Sequence, residues 1–80
     1  MKKVELSKID QLLFELEGYG YDLIDEFYDQ ERHYPIIIIE GEHRATDRDL
    51  DEVFSIMSQY TTGDVMHSDY GSIEVHLYNL

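Results

Sequence analysis

The chain has 80 residues, 42% of them hydrophobic and 12% aromatic, with 18 acids against 6 Lys and Arg and a formal net charge of -12. A chain of that size reads as a single compact domain over 1–80 that buries about 60 to 65% of the surface its unfolded form exposes, and its charge excludes direct binding to nucleic acid, whose phosphates must be met by cations. The lack of cysteine excludes disulfides and thiolate zinc sites, and with no apolar run of signal-peptide or membrane-spanning length the expectation is a cytoplasmic protein with no membrane contact.

In chain order, Lys2, Lys3 and Lys8 form a first basic island. Ser7 and Asp10 then have capping-box spacing, and Ile9, Leu12, Leu13 and Leu16 recur at i, i+3, i+4, i+7, which predicts a helix over about 7–17 that Gly18 and Gly20 stop. Residues 9–31 contain eight acids and no Lys or Arg. Residues 22–29 and 35–42 are expected to form a hairpin in which Ile36 to Ile39, with β-branched residues on both faces, reads as an interior strand. Leu23, Ile24, Phe27 and Tyr28 also fit a helix over 22–31, so both readings of that segment stay open.

Arg32, Arg44 and Arg48 make up the second basic island, and no base follows Arg48. Thr46 with Asp49 repeats the capping spacing, and Leu50, Val53, Phe54 and Met57 predict a helical face over about 47–60, ended by Thr61, Thr62 and Gly63. A second hairpin should join 64–69 to a strand in which Ile73, Val75 and Leu77 alternate with Glu74, His76 and Tyr78, with Asp69 to Ser72 as the turn. The two helical faces match at an offset of 41, which is consistent with an internal duplication.

The order α-β-β-α-β-β predicts an α+β fold, a four-stranded antiparallel sheet with both helices on one face. The other face would be open and would carry Glu74, His76, Tyr78 and half of the isoleucines.

Catalytic signals fail on inspection. Consecutive strand residues such as His67, Ser68 and Asp69 point to opposite faces and cannot form a triad. Asp47, Asp49 and Asp51 resemble the start of a calcium loop, but Glu52 stands where glycine is needed and Ser58 where a bidentate Glu is needed. The four histidines lack metal-ligand spacing, and no phosphate-binding loop is present. The expectation is a non-enzyme with no catalytic residue, no metal and no cofactor.

The concentrated feature is YDLIDEFYDQERHYP, residues 21–35, with five carboxylates and four aromatic rings around one arginine. Asp22, Asp25, Glu26, Asp29 and Glu31 read as an anionic stripe, and Tyr21, Phe27, Tyr28 and Tyr34 as contact anchors that stack on guanidinium groups. The target such a surface expects is a basic nucleic-acid-binding protein. In size and composition the whole chain resembles the small acidic inhibitors that phages carry against host defence, the anti-CRISPR type among them. That resemblance implies a stoichiometric inhibitor, a DNA mimic or a surface blocker. The alternative expectation is a homodimeric interaction module that pairs through the open sheet face, burying His76 and Tyr78.

Overall fold

The computed structural model describes residues 7–79, so Lys2 and Lys3 of the first basic island lie outside the described residues. The elements run α1 (Lys8–Gly18), β1 (Asp22–Asp29), β2 (Tyr34–Glu40), α2 (Asp47–Met57), β3 (Gly63–His67), a 3-10 turn (Asp69–Gly71) and β4 (Ile73–Leu77). The expected α-β-β-α-β-β order and the four-stranded antiparallel sheet are both present, with strand order β1-β2-β4-β3. The same αββ unit occurs twice, and the halves meet where β2 pairs with β4, from Ile36 opposite His76 to Ile39 opposite Ile73.

Local chemistry sets the helix ends. The Ser7 hydroxyl accepts the Asp10 amide proton at 3.1 Å, and α1 ends in a turn where Gly20 takes φ 93°, a left-handed conformation that glycine adopts without strain. Thr46 and Asp49 form a full capping box on α2. No glycine closes α2: it stops at Met57, and Gly63 instead opens β3. The reason for glycine there is close approach, because a Cβ would sit 1.9 Å from the His76 carbonyl oxygen.

Both helices pack on one sheet face. Leu12 and Leu16 of α1 and Val53, Ile56 and Met57 of α2 close over Ile37, Ile39, Ile73, Val75 and Leu77. Ile9, Leu13 and Leu50 line the margin, as expected, but Phe54 is exposed and Ile56 takes its place in the core. Positions 53 and 57 of the expected face meet the sheet, and 56 replaces 54 as the third.

Residues 22–29 are strand rather than helix. The isoleucine strand needs a ladder partner on each side, and β1 supplies one at the cost of leaving its own apolar side chains in solvent. A bulge at Ile24 shifts the register between Leu23 and Asp25.

Tyr21 corrects an expectation. It is 6% exposed, part of the core, and its hydroxyl donates to Glu52 Oε1 at 2.9 Å, with Asp49 Oδ1 a second acceptor at 3.3 Å. It ties the start of β1 to α2 and is no surface anchor. Burial and these two carboxylates raise its phenol well above the ordinary value. Tyr21→Phe should cost about 1–2 kcal/mol, lowering Tm by roughly 4–16 °C in thermal denaturation followed by circular dichroism. Gly63→Ala should cost more, about 2–4 kcal/mol, because backbone rather than a side-chain tip must move.

Candidate interaction surface

β1 is a terminal strand, and every residue from Asp22 to Tyr28 is exposed. Its register against β2 assigns the faces. Asp22, Asp25, Phe27 and Asp29 lie on the open side with Glu40, Ile38, Ile36 and Tyr34, while Leu23, Glu26 and Tyr28 lie on the helix side. Asp25 and Asp29 stand about 13 Å apart along the strand with Phe27 between them.

Among the described residues the one cation in ion-pair range of this stripe is Arg32, 3.8 Å from Asp29. Asp29 is also structural, because its Oδ1 accepts the amide protons of Glu31 at 2.9 Å and Arg32 at 3.0 Å and so builds the turn into β2. The Arg32 amide is the largest cause holding its carboxyl below the usual range. Asp22, Asp25, Glu26 and Glu31 have no such cation among the described residues.

The second group, Glu74, His76 and Tyr78, lies on the open face next to Tyr34. Arg32 can only donate and the Glu74 carboxylate only accept, so with a neutral imidazole the chain of contacts has one consistent polarity. Arg32 Nη1 donates to Tyr34 Oη at 3.3 Å, Tyr34 Oη to His76 Nδ1 at 2.7 Å, and His76 Nε2 to Glu74 Oε2 at 2.6 Å. This polarity assigns the imidazole proton to Nε2. Tyr78 meets Tyr34 edge-on with ring centroids 4.8 Å apart and donates to Asp64.

The open face is therefore partly closed by its own side chains. His76 is 1% exposed and Ile36 3%, although Ile36 stands outside the main core. Of the expected contact residues Phe27, Tyr28 and Tyr78 present rings to solvent, Tyr34 is half-buried, and Tyr21 and His76 are covered.

Two exposed features were not anticipated. Tyr70 is 100% exposed in a left-handed conformation, φ 58°, that few non-glycine residues adopt. With Ile24, Asp25, Ile38, Glu40 and Asp69 it borders a shallow groove of about 400 Å³ at the bulged end of β1. Tyr28 and Tyr70 stand 42 residues apart, close to the offset of the two helical faces, but the turn at Asp69 to Ser72 gives no local sign of where the ring lies.

His67 Nε2 contacts Asp47 Oδ1 on α2 at 2.9 Å, and Asp49 caps that helix. Among the described residues no group of His, Asp and Glu is arranged to hold a metal, and no helix is long and apolar enough to cross a membrane. Searches against family models, curated proteins and solved structures return no match to this chain.

Two outcomes test this geometry. Tyr34→Phe strips the donor from a buried imidazole nitrogen and should destabilise by about 1–3 kcal/mol in urea unfolding, whereas Tyr28→Phe on the exposed strand should stay within about 0.5 kcal/mol. The Tyr78 phenol, ordinarily at 10.0, is pushed up to about 12, first by its hydrogen bond to Asp64 and then by burial. Its folded value lies above its unfolded one, so the stability it contributes is complete below pH 10 and is lost as pH rises through about 12. Asp64→Asn should bring that phenol back toward 10 in a tyrosinate absorbance titration.

Proposed function

We propose that this protein is a non-enzymatic, cytoplasmic binding protein, a stoichiometric inhibitor of a basic nucleic-acid-binding protein of host defence such as a CRISPR effector or restriction enzyme. Its carboxylates stand where the target expects phosphates, in the manner of the phage anti-defence inhibitors it resembles in size and composition. The observation that carries this reading is β1: an exposed strand on which Asp22, Asp25 and Glu26 have no described cation in ion-pair range and rings are placed among the acids.

The reading follows from how charge is used. Holding -12 on so small a fold weakens the compact state through self-repulsion, and a strongly cationic cleft would turn that repulsion into attraction and fast association. Phe27 and Tyr28 add stacking area for arginine and lysine side chains, which phosphates cannot offer. The homodimer reading draws less support, because Ile36 and His76 on the open face are already covered within one chain.

The test is capture of host proteins on the immobilised chain. A basic nucleic-acid-binding protein should be retained, released at least ten-fold between about 50 and 200 mM salt, and displaced by duplex DNA. Asp22→Asn, Asp25→Asn, Glu26→Gln and Glu31→Gln combined should weaken capture by about ten-fold or more while making the isolated protein slightly more stable. Capture indifferent to both salt and DNA overturns the reading.

A further inference from the structure

The acids of β1 follow an order that neither charge nor exposure requires. Read from Asp22 to Asp29, the strand runs acid, apolar, apolar, acid, acid, apolar, apolar, acid, and it reads the same backwards. Among the described residues no strand lies beside its outer edge. The Glu26 amide donates to Asp25 Oδ1 at 2.9 Å, and Tyr28 stands opposite Pro35, which has no N–H to give to a ladder bond. By the two-residue alternation of an antiparallel pair, the backbone groups of Glu26 and Tyr28 therefore face away from β2.

From this we infer that β1 takes an extended basic segment of the target as a fifth strand, bound through its backbone edge and selected by the palindromic charge pattern. The inference rests on the acidic-inhibitor reading above and specifies how the stripe makes contact. Charge complementarity excludes a second copy of this chain as the occupant. Antiparallel pairing of two copies would bring a second set of four acids, Asp22, Asp25, Glu26 and Asp29, to an edge that already carries four, so like charge opposes it. A segment with Lys or Arg at those positions and β-branched residues between them converts each repulsion into an ion pair and covers Leu23, Ile24, Phe27 and Tyr28.

The palindrome also means that charge does not fix the direction of the incoming strand, so backbone pairing can form in either sense. Asp25 holds the Glu26 amide until it is displaced, and the freed carboxylate then turns to a basic side chain. The Ile24 bulge bends one end of the strand, which centres the pairing on residues 25 to 29.

The experiment uses the whole protein, isotopically labelled, and three synthetic octapeptides followed by amide chemical shifts. The first reads Lys-Val-Thr-Lys-Arg-Thr-Val-Lys. The second keeps its charge but replaces both threonines by proline, and the third replaces every base by glutamate. The first should bind at low salt with shifts concentrated on residues 25 to 29 and slowed exchange of the Tyr28 amide. The proline peptide should bind about ten-fold more weakly or worse, because it lacks edge donors and resists pairing, and the acidic one not at all. Equal binding by the first two overturns strand addition and leaves the phosphate-mimic reading standing. No binding by the first, or shifts centred on the open face instead, overturns strand addition as well, while host-protein capture with its salt and DNA dependence decides the inhibitor reading separately.

Discussion

The structure depends on one strand being apolar on both of its faces. β2 pairs with β1 on one side and β4 on the other, so its backbone is fully engaged and its side chains must be absorbed above and below the sheet. Ile37 and Ile39 anchor the helices, while Ile36 is sealed from the far side beside His76, under a small cover that includes Tyr34 and Tyr78. That second, smaller interior explains why a buried histidine occurs on the face that the helices leave open. Its two ring nitrogens are satisfied by Tyr34 and Glu74, as an imidazole shut away from water requires.

Against that framework the acids divide by what each one holds. Asp10 and Asp49 serve helix starts, Asp29 secures a turn, Glu52 accepts from a core tyrosine, and Asp47 meets a histidine. Each is explained by the fold it supports. Of the carboxylates left over, Asp22, Asp25 and Glu26 stand together on β1, with no described cation in ion-pair range of them. Total charge alone would not have located that run.

The architecture was legible because its signals are local: capping spacings at Ser7 and Thr46, a 3.6-residue apolar period in α1, and strict alternation from Ile73 to Tyr78. Segment 22–29 was ambiguous for a physical reason, since its apolar residues fit either period and only the need of β2 for a neighbour selects strand. Phe54 and Ile56 exchanged places because the apolar set of α2 is wider than the stripe that touches the sheet. Tyr21 and His76 were read as contact residues, yet both are covered. Aromatic and titratable side chains carry no local sign of burial, and it took the register of β2 against β4 and the reach of α2 to decide their places.

The twofold αββ plan also orders events during synthesis on the ribosome. The isoleucine strand emerges with only β1 to pair with, and the strand that completes its other edge comes a helix and a strand later. Through that interval a flat, β-branched, highly sticky edge lies open to any neighbouring nascent chain. The acids translated just ahead of it, along α1 and β1, give the emerging segment a strong negative charge, so the growing polypeptide repels its siblings before it has a finished sheet to protect.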